Sequence, residues 1–166
     1  MKYNSIMKAF FELIRWNHWT KNVFVLAPLF FSGDYYDISN VAESLKAFFI
    51  FCLVSSCVYI FNDLLDYEAD SAHNKKRLRP LPSGRISKPM AVLILSIMFI
   101  SACLLLYTLR MPINFIYVVS LYALINLVYS TGLKHIPVLE LILVSSGFVL
   151  RLVGGGEALS IGLSPW

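Results

Sequence analysis

The chain has 166 residues, 58% of them hydrophobic and only 14% charged, with a formal net charge of +4. Its mean hydropathy is +0.69 and its pI about 9.0. A soluble domain carries about a quarter charged residues, so too few are present to cover a globule in water, and the apolar content excludes disorder.

The first expected element is an amphipathic stretch over 5–15. Glu12, Arg15 and Lys21 interrupt the apolar run and no small-residue cleavage site follows, so it does not read as a signal peptide. A membrane span takes roughly 20 apolar residues. Spans are expected at about 16–33, 43–65, 90–110, 112–133 and 136–156, giving an all-α, multi-pass bundle in one domain over 1–166. In the first, the apolar part Val23–Phe31 is short and contains Pro28, so the span needs Trp16–Asn22 to continue the helix. Cys52, Cys57 and Cys103 lie in apolar runs without metal-ligand spacing and read as small buried hydrophobes.

Lys and Arg in the short loops set the orientation. Lys2, Lys8, Arg15, Lys21, Lys75, Lys76, Arg77, Arg79, Arg85, Lys88 and Lys134 fall on one side of the spans, against Lys46 and Arg110 on the other. The N-terminus, the loop at 62–88 and the loop after the fourth span are therefore expected at the cytoplasmic face of a plasma (inner) membrane. The positive balance suits anionic lipid or phosphorylated substrates. The basic residues serve loops between apolar spans, which argues against nucleic acid as a partner.

The second span leaves the membrane through Asn62-Asp63-Leu64-Leu65-Asp66-Tyr67-Glu68-Ala69-Asp70. On a continuous helix Asp63, Asp66 and Asp70 fall within about 60° of one another, with Asn62 beside them. Three carboxylates on one face call for a cation. Oxygen-only ligands point to Mg²⁺ or Mn²⁺, and Mg²⁺ typically joins carboxylates to a substrate's phosphates. Acidic groups that extend a membrane helix are costly and carry a functional expectation. The alternative is a solvated helix end whose acids balance the basic loop.

That loop follows at once as Lys75-Lys76-Arg77-Leu78-Arg79-Pro80, then Gly84-Arg85. Carboxylates for a metal beside cations for phosphate are the two halves of a diphosphate site. Lys75, Lys76 and Lys88 are accounted for by topology alone, whereas Arg77, Arg79 and Arg85 are the candidate ligands. At the same face Asn17 and Lys21-Asn22 open the first span. Tyr122, Asn126, Tyr129, Ser130 and Lys134 form a polar stripe on the fourth, readable as interhelical glue or, at Lys134, as a phosphate contact. On the fifth span Glu140 and Arg151 share a face but stand roughly 16 Å apart, so each needs another partner. Gly154-Gly155-Gly156 either permits close helix contact or breaks the helix.

Asn62-Asp63-x-x-Asp66-x-x-x-Asp70, with the loop Arg77-Leu78-Arg79-Pro80-Leu81-Pro82-Ser83-Gly84, resembles the first aspartate-rich motif of the UbiA superfamily of intramembrane prenyltransferases. Arg15-Trp16-x-x-Trp19-Thr20-Lys21-Asn22, Tyr129-Ser130-x-Gly132-Leu133-Lys134-His135, Glu140, Ser145-Ser146-Gly147-Phe148 and Arg151 are similar to the decaprenyl-phosphate phosphoribosyltransferase branch. That resemblance implies transfer of phosphoribose from phosphoribosyl pyrophosphate to a polyprenyl phosphate, a step of cell-wall biosynthesis. It assigns Asp63, Asp66 and Asp70 to Mg²⁺ and catalysis. Asn17, Lys21, Asn62, Arg77, Arg79, Tyr129 and Lys134 are assigned to substrate, with membrane lipid around the apolar walls. It also implies a bundle of about nine helices with a second acidic motif, so the chain is expected to be the amino-terminal half of an enzyme. The oligomeric state is not set by the sequence.

Two other readings stand beside this one. A prenyltransferase acting on an aromatic or quinone-precursor acceptor would use the same acidic cluster, with Tyr59, Tyr67, Tyr122 and Tyr129 as walls for an allylic cation. An inactive membrane fragment, or a channel or transporter subunit, would use none of it.

Overall fold

The computed structural model describes residues 2–132 and 137–161, and the described residues form helices and connecting turns. α1 is Lys2–Leu13, α2 Ala27–Ser32, α3 Ile38–Leu65, α4 Tyr67–Ala72, α5 Lys88–Thr108, α6 Ile113–Ser130 and α7 Pro137–Ala158. Short 3₁₀ turns sit at Asp34–Tyr36 and Lys76–Leu78, and a long 3₁₀ segment runs from Trp16 to Leu26. Among the described residues four helices are long and apolar enough to cross a membrane: α3, α5, α6 and Leu141–Ala158 of α7.

These helices begin where local chemistry starts them. Asp37 Oδ1 accepts the Ser39 backbone N–H at 2.9 Å to cap α3, and Ser87 precedes α5 with a proline in its first turn. α3 is the central post, packed against α5, α6, α7 and the 3₁₀ segment. One apolar core joins Leu13 and Ile14 to Ile60, Leu81 and Ile86, at the end of α3 that carries the acidic residues. The other joins Val25, Phe51, Phe115, Val119, Tyr122 and Ala158.

The segment 16–33 differs from the expected single α-helical span. Eleven residues of 3₁₀ helix at a rise of about 2.0 Å, followed by one short α-helix, give a contour of roughly 30 Å, enough to cross a bilayer core. A helix of three residues per turn stacks every third side chain. Trp19, Asn22 and Val25 accordingly line one face. Trp19 Nε1 donates to Ser56 Oγ at 3.0 Å. Asn22 Nδ2 donates to Ser55 Oγ at 3.2 Å and Cys52 Sγ at 3.3 Å. Val25 is fully buried. Contacts on α3 recede from 56 to 52 as the segment advances, the pattern of two antiparallel rods in register.

Gly154, Gly155 and Gly156 lie within α7, so of the two readings of this triplet close helix contact is the one realised. A Cβ on Gly155 would stand 2.0 Å from the Val25 carbonyl oxygen, and one on Gly154 would meet the Phe51 ring at 2.7 Å. Arg151, one turn earlier, is buried and satisfied without an acid. It donates from Nε to Asn22 Oδ1 at 2.7 Å, from Nη1 to the Gly147 carbonyl at 2.7 Å and from Nη2 to Tyr122 Oη at 2.8 Å.

Candidate active site

α3 ends at Leu65, and Asp66 sits at its C-cap with φ −85° and ψ 6° before α4 begins. The single helical face expected for three aspartates is broken there. Asp63 and Asp70 come together, buried at 2% and 1% exposure. Arg79 Nη1 lies 2.6 Å from Asp70 Oδ2 and 3.3 Å from Asp63 Oδ1. Asp66 takes a hydrogen bond from Asn62 Nδ2 at 3.3 Å and faces a different cavity.

Two further cations complete the cluster. Arg15 Nη2 contacts Asp63 Oδ1 at 2.5 Å, and Lys76 Nζ stands 3.5 Å from Asp70 Oδ1. Arg15 also lies over the Tyr59 ring, 4.7 Å from its centroid. It joins α1 to the 3₁₀ segment in a left-handed conformation, φ 51° and ψ 48°, which costs a residue with a Cβ about 1–2 kcal/mol. The ion pair with Asp63 holds it there.

The loop that delivers Arg79 is pinned from both sides. Leu81 is 1% exposed in the core, and Ile86 is buried beside it. The turn between them passes through Gly84 at φ +73°, a region glycine enters without strain. Arg85, expected as a phosphate ligand, is an anchor instead: Nη2 pairs with Glu12 at 2.6 Å and donates to the Leu78 carbonyl at 2.7 Å.

Two polar cavities flank the cluster, and both are lined by Arg15 and Arg79. The first, about 410 Å³, also holds Asn17, His18, Asp63 and Lys75. His18 packs edge-on to Tyr59 with ring centroids 5.2 Å apart. The second, about 230 Å³, lies between α3 and α6 and holds Asn62, Asp66, Lys76, Asn126, Tyr129 and Ser130. An apolar cavity of about 560 Å³ between α3, α5 and α6 shares Val58 with it.

Of the residues expected from the sequence, Asn17, Asn62, Asp63, Asp66, Arg79 and Tyr129 line these polar cavities. Asp70 reaches the cluster through Arg79. Lys21 and Arg77 are exposed and line neither cavity. Lys134 lies outside the described residues, as does the Glu140 side chain. The sequence reading left Arg15, His18 and Lys76 out of the site, and had Tyr59 only as an aromatic wall under the prenyltransferase alternative. For Arg15 a signal was present, a cation closing an amphipathic stretch just before a polar run.

Among the described residues no three Asp, Glu, His or Cys side chains stand together as a metal-binding group. What converges is a pair, since one nitrogen touches both Asp63 and Asp70. Two carboxylates supply the hard-oxygen donors that Mg²⁺ takes when substrate phosphates complete its shell. The pair therefore fits Mg²⁺ or Mn²⁺ shared with phosphate, and not a cage made by protein alone.

Residues 24–166 match the model of the UbiA prenyltransferase family. The chain is 37% identical over 166 residues, 98% of its length, to decaprenyl-phosphate phosphoribosyltransferase of Mycolicibacterium smegmatis, covering 52% of that protein. To the Corynebacterium glutamicum enzyme of the same name it is 34% identical over 164 residues, covering 98% of this chain and 49% of that protein. A solved structure from work on digeranylgeranylglyceryl phosphate synthase in membranes superposes with a TM-score of 0.79 at 25% identity, over 92% of this chain and 53% of the other. The chain spans about half the length of the relatives it matches.

Proposed function

The chain belongs to the UbiA prenyltransferase family, and we propose that it serves a membrane transferase moving phosphoribose from phosphoribosyl pyrophosphate to a polyprenyl phosphate, with release of pyrophosphate. The observation that carries this reading is the buried Asp63–Asp70 pair, ringed by Arg15, Lys76 and Arg79, between two polar cavities at one end of an apolar bundle. The activity named for the two bacterial relatives supports it. The clustering of Lys and Arg at that end favours a cytoplasmic site on the plasma (inner) membrane, where a soluble sugar phosphate is available.

In this reaction an oxygen of the lipid phosphate bonds to the anomeric carbon, and the bond from that carbon to the pyrophosphate oxygen breaks with its electron pair leaving on pyrophosphate. The nucleophile is already an anion, so the protein needs no strong base. Its task is to meet the charge that grows on the leaving group with cations fixed in a partly dry site. Arg15 and Arg79 face both cavities and Lys76 the second, and that positive charge supports the reading of each cavity as a phosphate site. Asn62, Asn126, Tyr129 and Ser130 offer the second cavity neutral hydrogen-bonding groups for ribose hydroxyls. Asp63 and Asp70, with Asp66 nearby, would hold Mg²⁺; when bound it neutralises diphosphate charge. The apolar cavity below Val58 suits the lipid chain.

A second reading, transfer of a prenyl group from its diphosphate to an aromatic acceptor, is favoured by Tyr59 and Tyr129 in the second cavity. Membranes containing the protein, incubated with labelled phosphoribosyl pyrophosphate and polyprenyl phosphate, separate the two. A labelled lipid is expected. Absence of that lipid alongside turnover of a prenyl diphosphate would replace the first reading with the second.

A further inference from the structure

Resting on the reading of the cluster as a metal–diphosphate site, we infer that Arg79 occupies in the substrate-free protein the place of the divalent cation, so that metal enters together with a diphosphate and not alone. Arg79 Nη1 contacts both buried carboxylates, and its side chain is 31% exposed where the two cavities meet. Asp63 and Asp70 are too deeply buried to stand without a counter-charge, and the guanidinium supplies it.

Charge balance makes the exchange conditional. Asp63, Asp66 and Asp70 are faced by Arg15, Lys76 and Arg79, with Lys75 also lining the first cavity, so the carboxylates carry no surplus negative charge. A lone dication would leave two uncompensated positive charges in a site of reduced dielectric, where repulsion is poorly screened. A diphosphate arriving with the metal more than offsets its two positive charges and gives the displaced guanidinium a new partner. Arg79 is free to make this move because its partly exposed side chain borders open space on both sides. Leu81, buried two residues later, keeps the backbone in place. Through Arg79 metal and diphosphate must therefore raise each other's affinity by the same factor.

The test is Mn²⁺ binding, read by electron paramagnetic resonance on the detergent-solubilised protein with and without inorganic pyrophosphate, corrected for the manganese–pyrophosphate complex in solution. Pyrophosphate is expected to tighten Mn²⁺ binding to the wild type by about tenfold or more, within the usual range of site coupling. Arg79→Gln is expected to tighten binding of Mn²⁺ alone by a similar factor and to remove most of the coupling. Arg79→Lys, which keeps the charge, retains weak binding of Mn²⁺ alone and guards against a folding artefact. If Mn²⁺ alone binds wild type and Arg79→Gln equally, the inference is overturned. Binding of both ligands without coupling overturns the inference and leaves the metal–diphosphate reading standing. Failure of the wild type to bind Mn²⁺ under either condition overturns both.

Discussion

Arg151 and Asn22, 129 positions apart, meet through a 2.7 Å hydrogen bond from Nε to Oδ1 that ties α7 to the 3₁₀ segment in the bundle interior. Asn22 is itself held by Ser55 and Cys52 of α3, and Arg151 reaches on to Tyr122 of α6. One buried cation thereby links four elements, its charge spread over neutral acceptors. Asn22→Leu is expected to cost about 2–3 kcal/mol, the scale of a hydrogen bond to a charged group. The double variant Asn22→Leu/Arg151→Met should be less destabilised than the sum of its parts, because it removes the unpaired charge as well. Thermal unfolding in detergent checks this, and strict additivity would contradict the network.

The close contact of α7 with the 3₁₀ segment makes a ranked prediction. A Cβ on Gly155 meets the backbone carbonyl of Val25, which cannot rotate away, whereas one on Gly154 meets the edge of the Phe51 ring. Gly155→Ala is expected to destabilise by about 3 kcal/mol, the upper end for overpacking, and Gly154→Ala by about 1–2 kcal/mol. Melting temperatures of the two variants, measured side by side, give the order.

Carboxylate removal addresses the chemistry. Asp63→Asn and Asp66→Asn are each expected to lower the proposed divalent-dependent phosphoribosyl transfer by about 10²-fold or more, as loss of one transition-state electrostatic group does, while membrane insertion is unchanged. Asp63→Asn carries an added effect, because Arg15 loses the partner that holds its left-handed conformation. Turnover in membranes, paired with extraction-resistant protein levels, is the measurement. Full activity in both variants would remove the carboxylates from the mechanism.

Loop anchoring is testable away from any charge. Leu81→Ala empties a fully buried position and is expected to cost about 2–5 kcal/mol. The cost should appear locally, as faster proteolysis within 73–87 with the membrane helices intact. Proteolysis unchanged from wild type would show that the loop is held by Arg79 and Arg85 alone.

Helices α3, α5, α6 and α7 were legible because a long apolar run has one economical solution in a bilayer. Their ends moved by a few residues where Asp37, Ser87 and Pro112 start a helix earlier or later than hydropathy does. The resemblance carried by Asn62–Asp70 and the loop after it also agrees with the family match. Two features were not legible. A reading that assumes 3.6 residues per turn has no way to place Trp19, Asn22 and Val25 on one face. The separation of Asp66 from Asp63 and Asp70 depends on a backbone break at the end of α3 that no residue type there announces. Arg15 and Lys76 were hidden for a third reason. Basic residues at a membrane face are common for topological reasons, and only a distance to a carboxylate distinguishes those with a further role.

The 3₁₀ segment makes position along the chain and direction around it commensurate. In an α-helix a face drifts, so neighbouring positions share burial by degrees. In Trp16–Leu26 the side chains fall into three fixed columns, and the one through Asn22 and Val25 is the most deeply buried. Tolerance to substitution along this stretch would rise and fall with a strict period of three. A single inserted residue would turn everything beyond it by a third of a circle, carrying Asn22 away from Arg151 at a stroke. The segment behaves less like a span that can slide or tilt than like a toothed rack, engaged at one register.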